Sequence, residues 1–169
     1  MAFTLSYAKP AEFPAVLAAL PADWLSFGGG LIQLQFASMV DSGRCLVARD
    51  EASFIAGVAG WDETTAFGAM YAKFGAVTLE YQLQGISYLL ARELILIAKS
   101  RKYRAILGDF PSTSPMLRVA LMIPGLKEAG YVDGLHGAGV RSAIIRLDAT
   151  SYDTAIAYLD DKVALLGNP

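Results

Sequence analysis

The hydrophobic and polar positions of the chain recur with two periods, one typical of strands and the other of helices. Alternating or continuously apolar runs predict strands, and apolar residues spaced three and four apart predict helices. The predicted elements, in order, are strand 3–7, helices 10–20 and 31–40, strands 44–50, 54–61 and 67–79, helix 86–99, strand 103–108, helix 116–122, a helical turn 126–129, a strand from 131, strand 140–147 and helix 152–165.

The connections between these elements predict how the strands pair. A short turn, Glu51 to Ser53, joins two of the strands and predicts an antiparallel hairpin. The strand over 67–79, the helix over 86–99 and the strand over 103–108 predict a parallel crossover. The glycine-rich loop over 24–30 is interpreted as a flexible connector, with a substrate-facing lid as the alternative.

The turn between strand 67–79 and helix 86–99 carries the strongest indication of a binding site. The start of a helix leaves backbone N–H groups without intrahelical acceptors, and the helix dipole adds positive potential there, so this turn predicts an anion site. Gly85 lies in the turn and would let a ligand approach the backbone closely. An ordinary strand-to-helix turn is the simpler alternative.

The residues of this turn resemble the acyl-CoA-binding signature of the GNAT N-acetyltransferases, which typically reads Val-x-Pro-Glu-Tyr-Arg/Gln-Gly-Lys-Gly-Ile-Gly. Leu79, Leu83 and Ser87 stand where the family has Pro, Gly, and Gly or Ala. A second run, Leu-Lys-Glu-Ala-Gly-Tyr over 126–131, is similar to the family's Tyr-Glu-Lys-x-Gly-Phe. The positions that match the first signature are Val77, Glu80, Tyr81, Gln82, Gly85 and Ile86.

This resemblance implies an α/β (α+β) fold, the GNAT acyl-CoA N-acyltransferase fold, with a mixed, mostly antiparallel sheet flanked by helices. It implies one GNAT-like domain over 1–148 and leaves 149–169 as a C-terminal helical extension. It also implies acetyl-CoA as co-substrate, with its pantetheine arm beside the strand that ends near Val77 and its pyrophosphate over the turn. The implied cofactor-binding residues are Val77, Leu79, Gln82, Leu83, Gln84, Gly85, Ile86 and Ser87.

The resemblance supplies one candidate for the catalytic base. Glu80 matches a Glu that is frequent in the family and would take the amine proton through a water molecule. A solvated or capping carboxylate is the alternative. Leu126 occupies the position where many members have a Tyr that would act as the general acid, so the resemblance does not identify a general acid in this chain. The other candidates, each also interpretable as a packing or surface residue, are Tyr88, Tyr103, Tyr131 and His136.

Composition narrows the class of partner. The chain has 169 residues, of which 54% are hydrophobic, enough to bury the core of one domain. The formal net charge is −2 without a basic block, which argues against nucleic acid. No signal peptide or membrane-spanning apolar stretch is evident, so we expect a cytoplasmic protein without a membrane partner. Cys45 is the single cysteine, and we expect it to be buried on a strand.

Two functions fit these observations. The first is an acyl-CoA-dependent N-acetyltransferase that moves an acetyl group from acetyl-CoA to a small-molecule or peptide primary amine by direct attack. The second is a catalytically inactive GNAT-fold protein that serves as a CoA-binding or structural assembly component. The sequence does not name the acceptor and predicts no metal site.

The C-terminal helix over 152–165 has its own apolar stripe, which must be covered by another surface. It packs either on its own domain, which is the simpler interpretation, or on a second copy or another protein. The stripe consists of Ile156, Leu159, Val163 and Leu166.

Overall fold

The computed structural model describes residues 2–18, 31–64, 68–135 and 139–166, with the backbone only at residues 31, 32, 74 and 166. The glycine-rich loop over 24–30 and His136 lie outside the described residues. The chain forms two compact units. The first contains Met1–Asp62, Lys73–Ala91 and Lys162–Pro169, and the second contains Glu63–Ala72 and Arg92–Asp161.

The described elements follow the predicted order with one exception. The strands are β1 (Thr4–Tyr7), β2 (Cys45–Arg49), β3 (Ile55–Thr64), β4 (Ala69–Val77), β5 (Ala105–Pro111), β6 (Leu126–Asp133) and β7 (Arg141–Asp148). The α-helices are α1 (Phe13–Ala18), α2 (Leu31–Asp41), α3 (Ile86–Ser100), α4 (Pro115–Ala120) and α5 (Tyr152–Leu166). Short 3₁₀ turns cover Pro10–Glu12, Leu79–Tyr81 and Ala149–Ser151. None of these helices has both the length and the apolar character needed to cross a membrane.

In the first unit the strand order is β1-β2-β3-β4. β1 pairs antiparallel with β2, and β2 pairs antiparallel with β3, so the predicted hairpin is confirmed. Four of the five residues of β2 are buried, which explains its continuously apolar sequence. Its core cluster consists of Ala8, Val16, Phe36, Met39, Val40, Cys45, Val47, Val58 and Ala76.

In the second unit the strand order is β4-β5-β7-β6. β4 and β5 are parallel, with a register from Ala69↔Ala105 to Ala72↔Gly108, so the predicted crossover through α3 is confirmed. β5 pairs antiparallel with β7, and β7 pairs antiparallel with β6, which gives the mixed, mostly antiparallel sheet that was predicted. A second apolar cluster consists of Leu117, Ala143 and Ile145, with Phe110, Leu121 and Leu126 packed against it.

The predicted helical turn over 126–129, with Gly130 as its C-cap, is wrong. Leu126–Asp133 is the strand β6 and pairs with β7. Ala129 is the extra residue of a bulge between Glu128 and Gly130. Gly130 has a φ of 158°, close to extended, rather than the left-handed conformation of a helix C-cap. Pairing with β7 therefore outweighs the local helix propensity of this run.

Helix α5 packs within the second unit along most of its length. Leu159 of the predicted stripe is fully buried, while Ile156 and Val163 are half-buried. Tyr152 and Ala155 complete the buried face. Two ion pairs join α5 to α3, namely Asp153 with Lys99 and Asp160 with Arg92. These contacts favour packing of the helix on its own domain.

Leu159→Ala is expected to lower the free energy of unfolding by about 3 kcal/mol, because it removes a fully buried side chain and leaves a cavity. Leu165→Ala is the matched control, since it removes the same atoms from a side chain on the same helix that is 72% exposed. Its effect should stay within about 0.5 kcal/mol. Urea unfolding followed by circular dichroism measures both, and two equally small effects would contradict the packing described for α5.

Cys45 is fully buried on β2, as the sequence predicts. Burial raises the pKa of its thiol to about 12, so the native protein contains very little reactive thiolate at neutral pH. We expect a thiol reagent such as dithionitrobenzoate to react with the native chain at least about 100-fold more slowly than with the chain in urea. Equal rates in the two conditions would show that the thiol is accessible in the folded state.

Candidate anion site at the β4–α3 turn

The turn that follows β4 is fixed to the first unit by two contacts. Thr78 donates from its backbone N–H and from its hydroxyl to the carbonyl oxygen of Ala56, at 3.0 and 3.2 Å. Tyr81 donates its hydroxyl to Asp50 Oδ2 at 2.5 Å. This hydrogen bond lowers the pKa of the Asp50 carboxyl and raises the pKa of the Tyr81 phenol. The turn is therefore held at both ends of its 3₁₀ segment, Leu79–Tyr81.

Two residues of the turn have left-handed backbone conformations. Leu83 has a φ of 66° and Gly85 has a φ of 78°. Glycine adopts this conformation without steric cost, but a branched residue is strained by roughly 1–2 kcal/mol. Leu83 is also 98% exposed, so packing of its side chain does not offset the strain. The chain thus keeps a glycine-like backbone at a position where the family signature has glycine.

Five consecutive backbone N–H groups, from Leu83 to Ser87, donate to no acceptor in the part of the chain that the structure describes. Helical hydrogen bonding begins just after them, where Tyr88 and Leu89 both donate to the carbonyl oxygen of Gly85 at 3.0 and 3.1 Å. Free N–H groups at the positive end of a helix dipole, with left-handed residues among them, can form an anion-binding concavity. The segment is therefore a candidate anion site, and its occupant stays a prediction.

Close packing positions the first turn of α3. Ile86 is buried and lies over Gly57 of β3. A Cβ at residue 57 would lie 2.8 Å from Ile86 Cγ2 and 3.1 Å from the carbonyl oxygen of Ala76. Only glycine at this position of β3 lets the helix approach so closely, and the approach determines where the free N–H groups lie.

The predicted cofactor-binding residues lie along this one segment. Val77 ends β4 and is half-buried, and Leu79 is 82% exposed on the 3₁₀ turn. Gln84 donates its side-chain amide to the carbonyl oxygen of Glu80 at 3.2 Å. The exposed residues of the set are Leu79, Gln82, Leu83 and Gln84, the half-buried ones are Val77, Gly85 and Ser87, and Ile86 is buried.

The structure does not hold Glu80 in a preorganised catalytic geometry. Its side chain is exposed, and its backbone carbonyl oxygen makes the contact with Gln84. Among the described residues no group of three or more His, Cys, Asp and Glu side chains is placed to hold a metal ion. The role of Glu80 as base thus stays a prediction.

The candidate general acids are dispersed. Leu126 packs against the apolar cluster of the second unit. Tyr103 has a pKa raised by burial and by a hydrogen bond to Glu63. Tyr131 donates to Glu128, which raises the pKa of its phenol, and the Arg141 guanidinium lies 4.4 Å from its ring centroid. Each of these tyrosines has a local structural role.

Sequence reasoning missed the residue that anchors the turn. Asp50 lies in the β2–β3 connection and accepts from Tyr81, 31 residues away along the chain. It also accepts from the backbone N–H of Phe54 at 2.8 Å. A short polar residue between two predicted strands indicates a turn, but it gives no information on a distant partner.

Comparison with known proteins finds similarity to solved structures. No protein-family model and no curated protein matches the sequence. A GNAT-family acetyltransferase from Bacillus cereus superimposes with a TM-score of 0.71 and 15% identity, covering 88% of this chain and 98% of the other. The ribosomal-protein-S18-alanine N-acetyltransferase of Escherichia coli gives 0.71 and 16%, covering 88% and 94%.

A third solved structure was determined together with a ligand. YncA from Salmonella typhimurium, solved with its cofactor acetyl-CoA, gives a TM-score of 0.70 at 14% identity and covers 88% of this chain and 95% of its own. At such identities a likeness shows the fold. The chain therefore has the fold of the GNAT acetyltransferases, as the two sequence motifs predict.

Proposed function

We propose that this chain is an acetyl-CoA-dependent N-acetyltransferase that acts on a primary amine by direct attack. The observation that carries the proposal is the set of five free backbone N–H groups from Leu83 to Ser87 at the start of α3. Backbone N–H groups bind a phosphate whatever the neighbouring side chains are. The replacement of the family's glycines by Leu83 and Ser87 is therefore compatible with binding.

The anion that best suits this site is the pyrophosphate of the co-substrate. Its negative charge would face the N–H groups and the positive end of the α3 dipole. Gly85, with its left-handed φ of 78°, leaves no side chain between backbone and ligand. The proposed contact residues are those of the turn and its flanks, Val77, Leu79, Gln82, Leu83, Gln84, Gly85, Ile86 and Ser87.

The transfer step needs few groups from the protein. The neutral amine nitrogen attacks the thioester carbon, the C–N bond forms and the C–S bond breaks. The amine gives up its proton to Glu80 through water, and the thiolate accepts a proton afterwards. A thiol with a pKa of about 8.5 is a good leaving group, so transfer can proceed although Leu126 supplies no acid.

A calorimetric titration of the full chain with acetyl-CoA tests the first part of the proposal. We expect saturable binding with one site per chain, and competition by free CoA, because both carry the pyrophosphate. Release of CoA thiol in the presence of a panel of primary amines, read with a thiol reagent, tests transfer. Because Cys45 is fully buried, the protein's own thiol should add little to the signal.

A CoA-binding protein without catalysis is the second candidate function. The exposed side chain of Glu80 and the packing of Leu126 in an apolar cluster favour it, since neither position offers a held acid or base. Binding of acetyl-CoA without thiol release for any amine of the panel would support this alternative. Thiol release that saturates with one amine, and falls in Glu80→Gln, would support the transferase.

A further inference from the structure

The exposed residues 82–84 of the β4–α3 turn lie between two fixed points of the chain. After them Ile86 is buried in the first turn of α3. Before them Tyr81 ends the 3₁₀ turn and is half-buried. The backbone N–H groups of Leu83 and Gln84 donate to no acceptor in the part of the chain that the structure describes, so their direction depends on these two points.

Two side-chain contacts fix Tyr81 within the first unit. Its hydroxyl donates to Asp50 Oδ2 at 2.5 Å, and its ring packs edge-on against the ring of Phe3, with the ring centroids 6.0 Å apart. A hydrogen bond to an ionised carboxylate is about twice as strong as a hydrogen bond between neutral groups. The bond to Asp50 is also directional, so it restrains Tyr81 more closely than the apolar ring contact does.

Asp50 is itself held by the connection between β2 and β3. Its Oδ1 accepts from the backbone N–H of Phe54 at 2.8 Å, and its own backbone N–H donates to the carbonyl oxygen of Phe54 at 3.1 Å. In the same connection, Arg49 donates from its guanidinium to the carbonyl oxygen of Ser53 at 3.3 Å. Asp50 therefore uses one carboxylate oxygen to close its own hairpin and the other to hold Tyr81.

The contacts at either end of the turn would remain without the Tyr81 hydroxyl. Thr78 fixes the start of the turn to the carbonyl oxygen of Ala56, and the buried side chain of Ile86 fixes its end. A phenylalanine at residue 81 would keep the ring contact with Phe3. The hydroxyl adds a fixed position for the chain just before the free N–H groups. Donors that are in place before a ligand arrives bind it more tightly, because less ordering remains to be done on binding.

We propose that Tyr81 and Asp50 are positioning residues of the co-substrate site, which hold the N–H groups of Leu83 to Ser87 in place for the pyrophosphate. The inference rests on the proposed function, to which it adds two residues outside the proposed contact set. Neither side chain contacts the co-substrate, and both act through the one hydrogen bond that joins them. Tyr81 belongs to the eleven-residue signature, whereas Asp50 lies on a different part of the chain.

The test is a calorimetric titration of full-length variants with acetyl-CoA and, separately, with inorganic pyrophosphate. Tyr81→Phe removes the hydroxyl, and Asp50→Ser shortens the acceptor so that it can close the hairpin with Phe54 but cannot reach residue 81. We expect each variant to raise both Kd values about tenfold, through loss of a hydrogen bond to a charged group. The double variant should also lose about tenfold, whereas two independent residues would lose about 100-fold together.

Two control variants separate positioning from a general loss of stability. Tyr152→Phe removes another tyrosine hydroxyl, which donates to a backbone carbonyl oxygen at 3.3 Å in the second unit. Leu159→Ala destabilises the fold by opening a cavity at a fully buried side chain. Both should leave the Kd for acetyl-CoA unchanged at a temperature at which every variant is folded.

Nitrogen-15 relaxation of the ligand-free chain provides a second measurement. The order parameters of the Leu83 and Gln84 amides should fall in Tyr81→Phe and stay unchanged in Tyr152→Phe, because only the first variant releases the turn. Unchanged order parameters in Tyr81→Phe would overturn the positioning role. Should Asp50→Ser fail to fold, Tyr81→Phe alone decides the question through its Kd and its order parameters.

The outcomes distinguish this inference from the proposed function. Absence of acetyl-CoA binding by the unmodified chain would overturn both. Binding by the unmodified chain, together with an unchanged Kd in Tyr81→Phe or losses that add in the double variant, would overturn the positioning role and leave the proposed function standing. An equal rise of the Kd in Leu159→Ala would have the same consequence, since the loss would then follow from stability.

Discussion

Replacing Gly85 by glutamate is expected to weaken acetyl-CoA binding severely while the chain stays folded. The new carboxylate would lie among the free N–H groups of Leu83 to Ser87 and occupy the place of the pyrophosphate. Two like charges at contact cost about 4 kcal/mol near a protein surface, so we expect the Kd to rise at least about 100-fold. Calorimetric titration with acetyl-CoA measures the change.

Two control variants identify the cause of that loss. Gly85→Ala imposes the same unfavourable left-handed φ of 78° without adding charge, and we expect it to weaken binding much less. Ala157→Glu adds the same charge at an exposed position of α5, outside the proposed binding segment, and should bind normally. Unchanged affinity in Gly85→Glu would mean that the cofactor binds elsewhere on the chain.

Replacing Gly125 by alanine is expected to lower the free energy of unfolding by about 3 kcal/mol, the sum of a strained backbone and a steric clash. Gly125 precedes β6 with a φ of 84°. A Cβ there would lie 2.3 Å from Ser151 Cβ and 2.4 Å from Ser151 Oγ, so the 3₁₀ turn before α5 would have to move. For a chain of this length, the melting temperature should fall by roughly 6–12 °C.

The two contributions can be separated within the same unit. Gly139→Ala has a similar φ of 78°, and its Cβ would meet no atom within 4 Å, so it should cost only about 1 kcal/mol. Ser151→Gly removes both clashing atoms, and in the Gly125→Ala background it should recover the remainder. Urea unfolding of the unmodified chain, of Gly125→Ala, of Ser151→Gly and of the double variant completes a double-mutant cycle. Equal decreases in the free energy of unfolding for Gly125→Ala and Gly139→Ala would show that Ser151 can move aside without loss of stability.

Periodicity and connection length predict most of the fold, because both are local properties. The apolar stripe of α3 and the short strands beside it are enough to predict the parallel β4–β5 pair. This reasoning fails for residues 126–131. Their Lys, Glu and Ala are acceptable in a helix, and the segment is a strand because it pairs with β7. Local propensity carries no information on such a distant partner.

The same division applies to the candidate sites. The candidate anion site lies within one continuous segment, so a motif of eleven residues, 77–87, is enough to propose it. The left-handed conformation of Leu83 was found only in the structure. Tyr81 and Asp50 are 31 residues apart along the chain and meet only in the folded first unit. A side-chain pair of this kind depends on the tertiary fold, and no local pattern predicts it.

The bulge at Ala129 lies in a strand at the edge of the sheet, where an unpaired strand could pair with other molecules. β6 is the edge strand of its unit, with no further strand beside it in the described chain. It carries Tyr131 and Val132, both close to half exposed. A straight apolar edge would offer a template for strands of other molecules. The extra residue interrupts the repeat of N–H and C=O groups and bends the strand, and Lys127 places a charge beside it. The edge can therefore keep apolar side chains in solvent without presenting a regular surface on which a second chain could pair.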